Sequence, residues 1–494
     1  MSQVKYKREH TRIFEISGPL DGQEIVVKAW VRSFRPQAKV AFIVLSDGSS
    51  SKTIQAITDS VAMIESLKGL TIGCFITLKV LVAKHPKRAG VMDLQIREII
   101  KISHVADPVH FPLASTPSLQ FLREHEDIRG LSPLIGSVER IKSECAYLVS
   151  DFMRKHHVHK VFPPTITGSD CEGAGETFTV TKLMDKGKTG IPVKSVTGLD
   201  GITIPSDEVD YSKDFFEVKA CLTVSAQLHL EAILRGIGDV WCELPSYRAE
   251  PSDTSRHVAV FTHQEAEFVG MSLDGLMDFL EQMTQFIFTG ILSSEDSLDD
   301  LKLIETFGEK KDLISKLQRF VSQPYARITY DEAIKIVHTD EHSKKLLEMY
   351  PTLVLPVWGA DLGSECEKYI SEVVTQVPTL VHHYPASLKS FYMKHSSTDA
   401  SEGPTVESCD LLIPFLGELC GASVREDDYD KLMKVMSDRN MDITPLQWYV
   451  DLRKMGSVPT AGFGMGFERL VCCITGMHIR DVSQFVQAYK TLKY

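Results

Sequence analysis

Three clusters in this chain have residue types and spacings that can manage charge on a phosphorylated ligand. The most C-terminal is Gly462-Phe-Gly464-Met-Gly466-Phe-Glu468-Arg469-Leu470. Glycines at every second position suit a strand whose backbone lies close to a flat ligand, and a helix after it would present Arg469. An arginine can stack on a base and reach a phosphate at once. The spacing is neither that of a dinucleotide fingerprint nor that of a Walker loop. The middle cluster runs Tyr247-Arg248-Ala249-Glu250, then Thr254-Ser255-Arg256-His257, then Phe261 through Glu267. Read as strand, loop, strand, it places Arg248 and Glu250 on one face, and Arg256 and His257 on a loop that can fold over an anion. Arg248 and Glu250 could equally form an ordinary ion pair with each other. The first cluster is Lys160-Val-Phe-Pro163-Pro164, followed by Glu172-Gly173-Ala174-Gly175.

The elements that must position these groups fall into parts of opposite charge. Between Glu24 and about Lys101, five short runs of strand type are separated by turn signals at Asp47-Gly48-Ser49-Ser50 and Pro86 to Gly90, with one helical patch at 60–68. That pattern predicts a small Greek-key barrel of the OB type, a module that stacks single-stranded bases on aromatics beside basic groups. Arg32, Phe34, Arg35, Lys39 and Phe42 cluster in its first hairpin, although Phe42 could also be core. A proline-rich stretch over 106–122 reads as a hinge, and 123–494 as one domain of mixed helices and strands with a polar surface insertion at about 184–214. Gly136 to Lys155, Leu273 to Leu292 and Asp296 to Val321 have helical spacing.

The 494 residues carry a net charge of -12, which at first argues against a nucleic-acid partner. Residues 1–105 hold 16 Lys and Arg against 9 Asp and Glu, a net of +7, and the remainder holds 38 against 57, a net of -19. Such a split suggests an appended anion-binding module. The hydrophobic fraction of 43% excludes a disordered chain. The basic N-terminal segment lacks an apolar core or a small-residue cleavage site, so neither a signal peptide nor a membrane span is expected. Ten cysteines without a C-x-x-C spacing read as reduced thiols in a cytoplasmic protein, and His156, His157 and His159 lack a second ligand set for a metal.

In this order the clusters resemble motifs 1, 2 and 3 of the class II aminoacyl-tRNA synthetases, in the subgroup for Asp, Asn and Lys. Within it the chain is similar to the asparaginyl family over nearly its whole length. SDCEGAGETFTV, CLTVSAQLHLEA, YRAEPSDTSRHVAVFTHQEAEF, WGADLGSECEKY, YPASLKSFYMK, LIPFLGELCGASVRE, WYVDLRKMGSVPTAGFGMGFERL and TGMHIRDV carry the resemblance. It implies an α+β fold, with an antiparallel catalytic sheet flanked by helices and an N-terminal OB barrel. It implies ATP and Mg²⁺ as cofactors, L-asparagine and tRNA(Asn) as substrates, and a homodimer in which Pro164 is the interface proline.

Residue by residue, the resemblance makes Arg248 the bridge between the α-phosphate and the attacking carboxylate. Glu250 then accepts from the adenine amino group, Phe261 and Arg469 sandwich the adenine beside Gly466, and Arg256 and His257 approach the γ-phosphate. Asp410 and Glu418 match the magnesium carboxylates, and Glu172 and Gln227 the groups on the α-ammonium. Aspartyl relatives carry a lysine three positions after that glutamine, where this chain has Leu230 followed by Glu231. A carboxylate at the substrate tip accepts from an amide and repels aspartate, while Arg425 can donate to the amide oxygen; Glu231 pairing only with a helix neighbour is the plainer alternative. In the barrel, Phe42 and Gln55 match the positions on the central anticodon base, with Arg32 beside them. The chain departs from the family pattern at Val260, Thr460, Cys366 and Ala422, and its closing segment QFVQAYKTLKY replaces a short Phe-Pro-Arg tail. An aspartyl enzyme, an aspartate-amidating paralogue and a non-catalytic RNA-binding protein are the rival readings.

Overall fold

A computed structural model describes residues 8–108, 113, 117–169, 171, 176–184, 190–197, 203–252, 257–397 and 402–494. Two compact units emerge, Met1–Glu144 with Ile291–Ile314, and Cys145–Gly290 with Ser315–Tyr494. Parts of the hinge segment predicted at 106–122 and of the 184–214 insertion lie outside the described residues.

The first unit contains a closed five-stranded barrel, β1 Glu24–Pro36, β2 Ala41–Ser46, β3 Ile54–Thr58, β4 Phe75–Lys84 and β5 Met92–Ser103, in the order β1-β2-β3-β5-β4. Every second residue points inward, so Val27, Ala29 and Val31, Ile43 and Leu45, and Ile76, Leu78, Val80 and Val82 fill the interior. The helical patch forms Val61–Ser66, capped by the Ser60 side chain, which accepts from the Met63 N–H.

In the second unit the strands are β6 His159–Lys160, β7 Ile166–Thr167, β8 Thr179–Val180, β9 Val193–Thr197, β10 Thr203–Val209, β11 Ala220–Leu222, β12 Val240–Tyr247, β13 Val260–Val269, β14 Ala326–Thr329, β15 Thr379–His382, β16 Ser408–Ile413, β17 Gly417–Val424 and β18 Thr460–Gly466. Eight of them form one sheet in the order β14-β15-β16-β17-β18-β13-β12-β6. Its six inner strands are antiparallel, and only the edge pairs β14/β15 and β12/β6 are parallel. The insertion contributes an antiparallel β9/β10 hairpin. The three predicted helical regions fold as Pro133–Lys155, as Leu273–Ser293, and as two helices, Glu295–Phe307 and Leu313–Ser322. Among the described residues no helix is long and apolar enough to cross a membrane.

Candidate active site

A cavity of about 310 Å³ opens on the face of β13, β17 and β18. Its floor is made by the glycine row. Gly464 and Gly466 lie opposite Glu265 and His263 on β13, and Gly464 lies opposite Gly421 on β17. The glycines serve the neighbouring strand as well as an incoming ligand. A Cβ on Gly464 would come 2.5 Å from His263 Nε2, and one on Gly462 would overlap the Glu267 carboxylate and the Ala266 carbonyl. The alternation read as room for a flat ligand is therefore first of all room for buried polar side chains.

Of the residues expected here, Arg248, Glu250, His257, Phe261, Gln227, Arg425, Asp410, Glu418, Gly466 and Arg469 all line this cavity. Glu172 and Arg256 lie outside the described residues. Arg248 and Glu250 follow the end of β12, where the Arg248 N–H still donates to the Ala259 carbonyl at 2.8 Å. The Arg248 guanidinium carbon sits 5.6 Å from the Phe261 ring centroid. Arg469, on the first turn of the helix Phe467–Thr475, donates from Nη1 to the Glu418 carboxylate at 3.2 Å. That helix is tied to β13 by Glu468, which accepts from the Thr262 N–H at 2.9 Å and the Thr262 hydroxyl at 3.1 Å.

At the other end, Glu265 organises the start of the helix Gln227–Ile237. It accepts from the Ser225 hydroxyl and from the Ala226 N–H, which has no partner within the helix. Arg425, 4% exposed, donates from Nε and Nη2 to the two oxygens of Glu267, 1% exposed, and from Nη1 to Ser423. Burial pushes the Glu267 carboxyl upward, and the Arg425 guanidinium opposes that shift. Three of the five guanidinium N–H groups are used in this way, which leaves donors for a ligand. Burial also holds the His263 imidazole below its usual range, so it is a neutral group beneath the cavity.

Glu231 departs from its expected position, since it does not line the cavity. Its carboxylate accepts from Arg453 Nη2 at 2.8 Å, from the Tyr449 hydroxyl at 3.0 Å and from Gln227 Nε2 at 3.1 Å. The Tyr449 hydroxyl lies 3.0 Å from both carboxylate oxygens, so each oxygen of Glu231 has two protein contacts. The Gln227 contact is the plainer pairing with a helix neighbour, and it turns the Gln227 amide nitrogen toward Glu231. Burial and the Glu231 charge push the Tyr449 phenol up, which keeps it a donor. Leu230 does not line the cavity; it packs with Ala226, Leu234, Val240 and Cys242. Tyr449, Arg453, Lys389, Glu265 and Glu267 were not singled out by the sequence reading. The alternating acids in His263-Gln-Glu265-Ala-Glu267 were the available signal for two of them.

Asp410 and Glu418 come together through a register shift between β16 and β17. Asp410 pairs with Gly421, yet Leu412 pairs with Glu418, one residue earlier than regular pairing would give. The bulge turns Glu418 onto the face of Asp410. An ideal Cβ at Gly421 lies 3.5 Å from both Asp410 Oδ1 and Glu418 Oε1, so these oxygens border one spot. Two hard carboxylates fit a magnesium ion that takes its other ligands from phosphate and water. Among the described residues no group of three or more His, Cys, Asp or Glu could hold a metal by itself. Burial, reinforced by Glu418, pushes the Asp410 carboxyl upward against the pull of Lys389.

Of the departures from the family pattern, Ala422 lines the cavity and the other three do not. Cys366, Ala422 and Thr460 are buried, and the Val260 N–H points to the Gln487 carbonyl of the divergent closing segment.

In the barrel, Phe42 alternates with the inward residues and is outside the core cluster. Arg35 pairs with Phe42, and Gln55 pairs with Val44, two residues along β2, so Arg35, Phe42 and Gln55 share one outer face. Phe34 packs against the core instead. Arg32 does not join this face. It is the extra residue of a bulge between Val31 and Ser33, and its Nη1 donates to the Leu131 carbonyl. It lines a separate cavity with Trp30, Phe75 and Arg140, and burial with the nearby Arg140 charge holds its guanidinium below the usual range. Pro164 is exposed, near Phe162, which is 80% exposed.

The pattern of the family described as tRNA synthetases class II (D, K and N) matches residues 131–488. The chain is 36% identical over 470 residues to an asparagine–tRNA ligase of Thermosynechococcus vestitus, covering 94% of this chain and 95% of that one. It is 35% identical over 498 residues to an asparagine–tRNA ligase of Cytophaga hutchinsonii, covering the whole of both. A crystal structure of asparaginyl-tRNA synthetase from Pyrococcus horikoshii complexed with asparaginyl-adenylate superposes with a TM-score of 0.78 at 27% identity, covering 98% of this chain and 99% of that one. A family pattern over most of the chain and full-length relatives above 30% identity agree with the motif order, the barrel and the antiparallel sheet: the chain belongs to the class II tRNA synthetases of the D, K and N group.

Proposed function

We infer that this synthetase activates L-asparagine with ATP and transfers it to the 3′ end of tRNA(Asn). The observation that carries the reading is one cavity holding Gln227 and Arg425 at one end and Arg248, Glu250, His257, Phe261 and Arg469 at the other. The full-length likeness to asparagine–tRNA ligases supports the choice of amino acid.

The amino-acid carboxylate is ionised at neutral pH, so activation needs positioning and charge neutralisation rather than a general base. A carboxylate oxygen attacks the α-phosphorus, the bond to the β-phosphate oxygen breaks, and pyrophosphate leaves with the electron pair. Arg248 holds the two reacting groups together and stabilises the charge that builds between them. Phe261 and Arg469 hold the adenine, Glu250 accepts from its amino group, and His257 faces the outer phosphates with Arg256. Asp410 and Glu418 are the residues that would hold Mg²⁺, which when bound neutralises charge on the phosphates. In the second step the terminal ribose 3′-hydroxyl attacks the acyl carbon, and AMP leaves.

Gln227 Nε2 is already given to Glu231, so its Oε1 is the group available to accept from the α-ammonium, alongside Glu172. Arg425 donates one of its remaining N–H groups to the side-chain amide oxygen. ATP–pyrophosphate exchange checks this directly: asparagine is expected to support it and aspartate not, and exchange with neither amino acid overturns the reading.

For the tRNA, the face of Arg35, Phe42 and Gln55 is proposed to stack on and bond the anticodon bases, apart from Arg32. Phe42→Ala is expected to leave exchange unchanged and to raise the KM for tRNA by on the order of 10- to 100-fold, the cost of one lost base stack. Equal loss of both activities would make Phe42 a folding residue instead. A homodimer seated over exposed Phe162 and Pro164, and residence in the cytoplasm, where ten buried free thiols stay reduced, complete the proposal.

A further inference from the structure

Lys389 lines the active-site cavity, and none of the steps above uses it. It lies on the turn after β15, where the Leu388 N–H donates to the Pro385 carbonyl at 3.1 Å. Arg439 fixes that turn by donating from Nη2 to the carbonyls of Ala386 and Lys389, both at 2.9 Å. The Lys389 ammonium is held as tightly as its backbone. Nζ donates to both oxygens of Asp410, at 2.8 and 2.6 Å, and sits 3.9 Å from the centroid of the buried Tyr384 ring. The two side chains are 17% and 13% exposed, so this is an enclosed pair, in which the loss of one partner leaves an uncompensated charge. Asp410 and Glu418 border one spot above Gly421, which is where an ion shared between the two carboxylates would lie. The ammonium already takes both Asp410 oxygens.

We propose that Lys389 is a positioning residue that occupies the cation position on Asp410 in the nucleotide-free enzyme, so that a divalent ion enters with the nucleotide and is not held beforehand by the carboxylate pair. This rests on the reading of the cavity as an ATP site. The free enzyme then keeps the Asp410–Glu418 spot clear of metal. The fixed ammonium supplies beside the phosphates a charge that does not depend on magnesium concentration.

The test is Mn²⁺ binding to the full-length protein without nucleotide, read by electron paramagnetic resonance of the free ion. Wild type is expected to take up no ion that Asp410→Asn removes. Lys389→Met, which keeps the length of the side chain and deletes its charge, is expected to gain about one Mn²⁺ per chain, lost again in Lys389→Met/Asp410→Asn. Lys389→Arg keeps a cation on Asp410 and is expected to bind none. A wild-type site abolished by Asp410→Asn overturns the proposal, and that result does not depend on the folding of any lysine variant. A folded Lys389→Met chain without the extra ion overturns it as well. Because the ion is counted without turnover, failure of asparagine-dependent exchange would strike the functional reading and leave this count standing.

Discussion

Arg248→Met is expected to lower kcat/KM for asparagine-dependent pyrophosphate exchange by at least about 100- to 1,000-fold, the usual loss when one placed donor to a developing charge is removed. The other cations of the cavity are held by carboxylates. Arg425 is committed to Glu267, Lys389 to Asp410, and Arg469 to Glu418. Arg248 lies against the Phe261 ring in the same cavity, and in the proposed reaction it holds the carboxylate against the α-phosphate. Arg248→Lys restores the charge but not the planar fork, so it is expected to recover only part of the rate. Exchange kinetics beside a denaturant unfolding curve check this. A change in rate below about threefold in a folded Arg248→Met protein would remove Arg248 from the reaction centre.

The second large effect falls on the Arg425–Glu267 pair. Arg425→Met leaves a carboxylate that is 1% exposed without its ion partner, and breaking such a pair typically costs about 3–5 kcal/mol of stability. Adding Glu267→Gln in the same chain removes the stranded charge, and most of the stability is expected to return. Asparagine binding is not expected to return, because the donors facing the ligand are gone; the KM for asparagine stays raised by roughly 10- to 100-fold, the worth of a hydrogen bond from a charged group. Urea unfolding midpoints and asparagine kinetics on both variants separate the two roles. Recovery of both quantities in the double variant would mean that Arg425 serves the fold alone.

The barrel was legible in the sequence because alternation at period two is a local property, and the inward residues Val27 to Val31, Ala41 to Leu45 and Ile76 to Val82 follow it. The cavity lining was legible in the same sense, since motifs carry their residues as short runs. Misreadings came where one strand slips against another. Arg32 looked like a neighbour of Phe42 in the chain, but a bulge at Arg32 sends it to the Leu131 carbonyl. Glu418 shares a face with Asp410 only because of the shift at Leu411/Leu412, which no spacing within either strand reveals. Gly462 reads as an allowance for a ligand until Glu267 is seen to fill the space above it.

Residue types and their order along the chain determined which groups this protein has at hand: arginines and carboxylates that gather in one cavity, and a basic barrel segment. The tertiary structure alone decided which charge keeps which partner. Glu231 meets Arg453 across 222 positions, Arg425 meets Glu267 across 158, and Lys389 meets Asp410 across 21. Burial makes such pairing obligatory, because an unpaired charge out of water is too costly to keep. Which groups are left for substrate is therefore set by contacts that fold into place from distant segments, and the local pattern cannot contain them.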